Sequence, residues 1–275
     1  MLRLLLQELR FRRNAIIGWG IGLALLPIMY ISIYPQYAEP MEAFQDMEIY
    51  EAMGMSFGNF DEWVASILIA MLPIILAIYA VVDATGTLAG EEDNGRLELM
   101  VALPTPRWQI VSVKAIAHGI ALFIILLIEG IVAAVVFLAI ESQLETTMAA
   151  TDLIWSLLYT WPLVMAFGMI SLFLGTFCPR RRIAAMIATV TVLASYFGNS
   201  LSSQVSSLES LRPLFPFYYL DATGSLFETG PQASDVLTLL GLALAALGLA
   251  VFFFQRRNIT VGAWPWQRGK LPEGA

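Results

Sequence analysis

Six apolar runs separated by charged connectors decide what this chain can fold into. They cover roughly 15–34, 63–82, 115–140, 153–177, 183–200 and 235–254. Each is close to the ~20 residues that a helix needs to cross ~30 Å of hydrocarbon. They are too long for barrel strands and do not alternate, so each is predicted to be a helix that satisfies its own backbone polar groups. The fifth is the most polar, through Thr189, Thr191, Ser195 and Asn199. Composition agrees: 58% of residues are hydrophobic, 13% are charged, and the mean hydropathy is +0.73. A soluble domain carries nearly twice that share of charge. The expected fold is an all-α integral membrane protein, a single transmembrane domain over 1–275.

Basic residues orient the spans, because Lys and Arg concentrate on the cytoplasmic side. With six spans, fourteen of the fifteen basic residues fall on one side and Arg212 alone on the other. A wrong span count would have scattered them. Both termini are therefore expected in the cytoplasm. The opposite side holds fourteen acids and that one arginine, net −13; the inner side holds fourteen bases and seven acids, net +7. Glu129, inside the third span, supplies the last charge of the overall −7. The acidity is thus an outer-surface property, and the basic inner face suits anionic lipid. No nucleic-acid partner is expected.

The connectors carry their own patterns. In residues 1–13, Leu2, Leu5, Leu6 and Leu9 fall on one helical face, with Arg3, Gln7, Arg10 and Arg13 mostly opposite. This predicts an amphipathic interfacial helix in the membrane surface rather than a signal peptide. Residues 201–234 are aromatic and Pro-rich, apolar but too broken to span. They are expected to return into the outer interface as short helices before the last span, with Phe217, Tyr218 and Tyr219 at headgroup depth. Residues 255–275 form a cytoplasmic tail.

Catalytic chemistry is sparse. No G-x-x-x-x-G-K-[ST] is present, so the chain does not bind ATP by a P-loop. One histidine, His118, excludes a His-pair metal motif, and no metal site is expected. Cys178, the single cysteine, rules out an intrachain disulfide and reads as a packed juxtamembrane thiol. Glu129 has two readings: a carboxylate facing a polar cavity on a substrate path, or a helix-packing group. Gly18 and Gly22 form a G-x-x-x-G that permits close helix approach.

The densest mixed charge lies at 83–114, between the second and third spans. Its order is Glu91-Glu92-Asp93-Asn94-Gly95-Arg96-Leu97-Glu98-Leu99-Met100, then Leu103-Pro104, Arg107 and Lys114. This resembles the cytoplasmic loop of ABC transporter type-2 permeases: acid, G-T-L-E, apolar residues, Pro, Arg, and a Lys opening the next span. Gly95, Leu97, Glu98, Pro104, Arg107 and Lys114 match; Arg96 stands where Thr is usual. The run Lys114–Gly119, KAIAHG, is also similar to permeases of nitrous-oxide-reductase maturation transporters. The topology resembles the family too, over the whole chain.

The resemblance implies that the loop carries a short coupling helix seated in a cleft of a separate ATPase subunit. Leu97, Leu99, Met100 and Leu103 would give the apolar contact, and Glu91, Glu92, Asp93, Glu98 and Arg107 a charged rim. An isolated helix that short is marginal in water and needs docking to persist. The resemblance further implies an exporter with two ATPase subunits that bind ATP and Mg, none of it bound by this chain. It also implies a second permease chain, identical or related, and a substrate path near the first, second and fifth spans. Glu129, Thr189, Ser195 and Asn199 are the candidates to line it. The alternatives are a scaffold or signalling subunit of such a complex that moves nothing, and an integral membrane enzyme. The lack of clustered catalytic residues in the spans disfavours the enzyme.

Overall fold

The structure, a computed structural model, describes residues 1–42, 59–93, 106–144, 146–220, 222, 226–227 and 230–257. Side chains at 38–42 and 92–93 are outside this description. Among the described residues every element is helical. Six helices are long and apolar enough to span a membrane: Leu2–Tyr37, Phe60–Thr87, Arg107–Gln143, Ala150–Phe177, Arg181–Gln204 and Ala233–Gln255. They fall on the six apolar runs, and the protein is a multi-pass membrane protein. We number the helices α1 (Leu2–Glu42), α2 (Phe60–Thr87), α3 (Ala89–Asp93), α4 (Arg107–Ile140), α5 (Ala150–Tyr159), α6 (Trp161–Phe177), α7 (Arg181–Gln204) and α8 (Ala233–Gln255).

The first correction concerns residues 1–13. They do not form a separate interfacial helix but are the opening turns of α1, which runs unbroken for 41 residues. Leu2 and Leu6 are exposed, while Glu8 and Arg12, one turn apart, are buried. At ~1.5 Å per residue α1 is ~60 Å long and α4, with 34 residues, ~50 Å. Both exceed the ~30 Å hydrocarbon thickness. The first turns of α1 and of α4, which carry Arg12 and Lys114, come together at the basic end of the bundle.

Two prolines shape the spans. Pro73 lies inside α2, where its ring would press on the carbonyl of Ile69. A π-helical turn, Ala65–Ile69, immediately precedes this point and absorbs the conflict. Pro162, in the first turn of α6, does the same more sharply: the fourth span breaks at Thr160 into α5 and α6.

α1 packs on α4, α4 on α5, α2 on α6, and α8 on α6. One apolar core joins α1, α2, α4 and α5 through Leu23, Leu72, Leu122, Leu126 and Leu153. A second joins α2, α6, α7 and the following turns through Ile69, Phe167, Val192 and Phe217. A third closes the basic end with Leu88, Val111, Leu172 and Phe254.

The segment before the last span does return as short helices, Ser206–Leu214 and Pro216–Tyr219, both 3-10. Gly198 makes room for it: a Cβ there would overlap the Phe215 ring. Phe217 is packed inside the protein rather than on its surface. It is 5% exposed and its ring lies 5.5 Å from Phe167 and 5.4 Å from Tyr196.

Candidate functional site

The α1–α4 meeting point carries a buried chain of alternating charge. Helical spacing prepares it: Glu8 and Arg12 are four apart on α1, Lys114 and His118 four apart on α4, so each pair shares a face. Asp83 comes from the last turns of α2 and Glu91 from α3. Lys114 Nζ donates to Glu91 Oε1 and Glu8 Oε1, both at 2.8 Å. Arg12 Nη1 donates to Glu8 Oε2 at 2.6 Å, and its Nε to Asp83 Oδ2 at 3.0 Å. His118 Nδ1 lies 2.7 Å from the same Asp83 oxygen.

The order is therefore Glu91–Lys114–Glu8–Arg12–Asp83–His118, in which Lys114 and Arg12 each bridge two acids. Lys114 and His118 are 1% exposed, Arg12 5% and Glu8 7%. Charges this deep persist only when paired, and a group that loses its partner costs several kcal/mol, about 3–5. Glu91 is the least enclosed member. Burial pushes its carboxyl above the usual range, against the pull of Lys114. Its second oxygen, Oε2, is buried without a hydrogen bond among the described residues.

Neighbouring groups fix the network in place. The Tyr79 ring stacks on His118, centroids 6.2 Å apart and planes 10° apart. On the other side His118 Nε2 sits against Gly168 of α6, where any Cβ would overlap it. Arg181, first residue of α7, lies across Gly86 and Gly90, and its Nη2 donates to the Val82 carbonyl at 3.2 Å. A Cβ at either glycine would stand 3.2 Å from the Arg181 side chain. The joint between α2 and α3 is thus narrow because an arginine fills it.

Two more arginines close helix ends at the same side. Arg257 Nη1 donates to the Gly175 and Thr176 carbonyls of α6 at 2.9 and 2.6 Å. Arg107 Nη1 donates to the Arg257 carbonyl at 2.6 Å, with Phe254 and Gln255 carbonyls at 3.4 Å. Terminal carbonyls lack intrahelical partners, and a cation answers both their hydrogen bonding and the helix dipole. Cys178, fully buried just after α6, has its thiol pushed up by burial against the opposing influence of Arg257. That is the character of a packed thiol, not a nucleophile.

Of the residues predicted to dock an ATPase, Glu91 belongs to the network and Arg107 caps α8. Glu92 lies in α3, with its side chain outside the described residues; Leu97, Glu98, Leu99, Met100 and Leu103 are outside them altogether. The four substrate-path candidates lie on separate packing units of one copy. Glu129 stands on α4, which packs on α1 and α5; the others stand on α7, which packs on α6 and α2. Glu129 is fully buried and neither carboxylate oxygen has a hydrogen bond in the described structure. Ser195 is buried and its Oγ accepts the Phe217 N–H at 3.3 Å, so it holds the returning segment. Thr189 is exposed, and Asn199 is half-buried, its Oδ1 without a hydrogen bond among the described residues.

The sequence reading did not single out Glu8, Arg12, Asp83, Lys114 and His118 as one network. The signal was present: Glu8 and Arg12 stand beside the Leu5–Leu9 row, on the side a neighbouring helix would cover.

The family model described as ABC-2 family transporter protein matches residues 2–259. The chain belongs to the ABC-2 transporter family. No curated protein matches it. Glu91 stands on the connector between the second and third spans. The buried network begins on that connector, at Glu91.

Proposed function

We propose that this ABC-2 permease is the membrane subunit of an ATP-driven exporter in the plasma membrane of a bacterium or archaeon. The basic end is cytoplasmic and holds both termini. Two ATPase subunits, which bind the ATP and Mg, dock on the 83–114 segment of two permease chains. Leu97, Leu99, Met100 and Leu103 fill their clefts; Glu91, Glu92, Glu98 and Arg107 belong to the charged border.

The observation that carries this reading is the buried alternation of charge. It ties Glu91, at the entry to the docking segment, through Lys114 to α4 and through Glu8 and Arg12 to α1. A push on the docking segment pulls on the Glu91–Lys114 pair, and Lys114 in turn holds Glu8. The displacement passes to α1, α2 and α4 together, and these helices switch between inward-open and outward-open states.

The faces left uncovered in one copy support pairing with a second. On α1, Ile17, Ile21 and Leu25 are more than half exposed, and among the described residues nothing lies within 4 Å of where a Cβ would stand at Gly18 or Gly22. On α7, Met186, Val190 and Phe197 are likewise exposed. Thr189 shares that α7 surface, so the paired α1 and α7 faces would bound the substrate path.

The test is co-purification with a P-loop ATPase expressed alongside the chain, followed by ATP hydrolysis in the reconstituted complex. Hydrolysis that rises with a candidate substrate, and substrate accumulation inside inverted vesicles, are expected. Replacing Glu98 and Leu99 together by Ala should release the ATPase without affecting membrane insertion. Intact co-purification and unchanged ATPase stimulation in that double variant would refute the docking assignment.

A further inference from the structure

A cavity of about 570 Å³ opens at the end of the bundle opposite the charge network, between α4, α5, α6, the Leu226–Phe227 turn and the start of α8. It is within the ~300–1,000 Å³ usual for small-molecule sites. Asp152 lines it in the first turn of α5, and Pro162 lines it ten residues later, so the groove descends ~15 Å along the fourth span. Phe123, near the middle of α4, lines its deep part. That is the depth of one leaflet, half of the ~30 Å hydrocarbon core.

The lining is selective in chemistry. Phe123, Trp155, Tyr159, Trp161 and Phe227 give it five aromatic rings. Their polar atoms are committed elsewhere where the structure shows them: Trp161 Nε1 donates to the Gly119 carbonyl at 2.9 Å, and Tyr159 OH to the Tyr219 carbonyl at 3.3 Å. Ser156 Oγ donates to the Leu153 carbonyl at 3.1 Å. What remains for a ligand is mostly aromatic and aliphatic surface, with one carboxylate. Asp152 Oδ2 accepts the Ala149 N–H at 2.9 Å, and among the described residues no basic side chain pairs with its charge.

We infer that this groove binds a single-chain cationic amphiphile, its ammonium group at Asp152 and its alkyl chain between the aromatic rings. A carboxylate at the mouth selects a cation over a neutral or anionic headgroup. The aromatic faces add cation–π attraction near the mouth and apolar contact below it. The depth profile matches a molecule embedded in a leaflet, with charge at the surface and chain inside. That the leaflet is the outer one rests on the orientation proposed above; the chemistry of the groove does not.

The test uses the purified full chain in phosphatidylcholine nanodiscs and brominated dodecyl amphiphiles, whose bromine quenches nearby tryptophan. Three headgroups are compared: trimethylammonium, sulfate and hydroxyl. The expected result is saturable quenching by the ammonium compound, lost in a Trp155→Phe, Trp161→Phe double variant. Asp152→Asn keeps the acceptor for the Ala149 N–H but removes the charge, and should weaken ammonium binding about threefold to tenfold. Val236→Phe fills the groove from α8 and should abolish saturable quenching. Equal quenching by all three headgroups, or ammonium binding unchanged in Asp152→Asn with the same elution profile, would overturn the inference. No ATPase is present in this assay, so its failure leaves the coupling reading standing.

Discussion

Lys114→Met removes the ammonium at the centre of the charged chain while keeping the apolar length of the side chain. In the native structure Nζ lies 2.8 Å from both Glu8 and Glu91 and the residue is 1% exposed. Breaking a buried pair of this kind costs roughly 3–5 kcal/mol when the surviving charge has no other partner. Here that figure must be reduced. Glu8 keeps Arg12 at 2.6 Å, and the Glu91 side chain, 24% exposed, can turn toward water. We therefore expect a loss of about 2–3 kcal/mol. The assay is SDS-driven unfolding of the purified protein in mixed micelles, followed by circular dichroism. The decisive comparison is with Lys114→Met plus Glu91→Gln. Removing the stranded carboxylate should return ~1–2 kcal/mol of the loss, a coupling of the size seen between contacting residues. Coupled to an ATPase, Lys114→Met should lower transport-linked hydrolysis more than the double variant does. If Lys114→Met unfolds with the wild type, and the two substitutions add within ~0.5 kcal/mol, the network does not bear the buried charge energy assigned to it.

Three further outcomes follow from the same geometry. Gly168→Ala places a methyl where His118 Nε2 sits, so the imidazole must leave Asp83; a shift of the unfolding midpoint equivalent to ~1–3 kcal/mol is expected, and His118→Ala in the same chain should relieve it. Because burial raises the Glu91 carboxyl, the folded state holds its proton more tightly than the unfolded state does. The stability this group contributes is present in full below the ordinary glutamate value, ~4.3, and is lost as pH rises through the folded value; wild type should therefore lose stability relative to Glu91→Gln between acid and neutral pH, and a difference that is flat or grows would contradict the sign. Glu129→Met removes a buried carboxyl with neither oxygen bonded among the described residues and should leave the SDS midpoint unchanged or raised, whereas transport should fall if Glu129 lines the substrate path.

What was legible in the sequence was set by the solvent. A bilayer forces every spanning segment to close its own hydrogen bonds and charges most heavily for misplaced Lys and Arg. Run length and basic-residue bias therefore marked all six spans. Residues 1–13 were legible as a helix, but not as the opening turns of α1. An amphipathic leucine row answers to a membrane surface or to a neighbouring helix, and periodicity cannot say which. Glu8 and Arg12 stand within the covered edge of that row, where α4 and α2 supply Lys114 and Asp83. Those partners lie 106 and 71 residues away, and no local pattern spans such separations. Ser195 shows the same limit: its hydroxyl read as polar lining of a path, yet it receives the Phe217 N–H of a segment that folds back over Gly198. Polar residues in a span report only that they need a partner. Whether the partner is cargo, water or the protein's own backbone is decided by packing, and in this chain packing gave one candidate lining residue a backbone partner and joined five scattered charges and a histidine into a linkage.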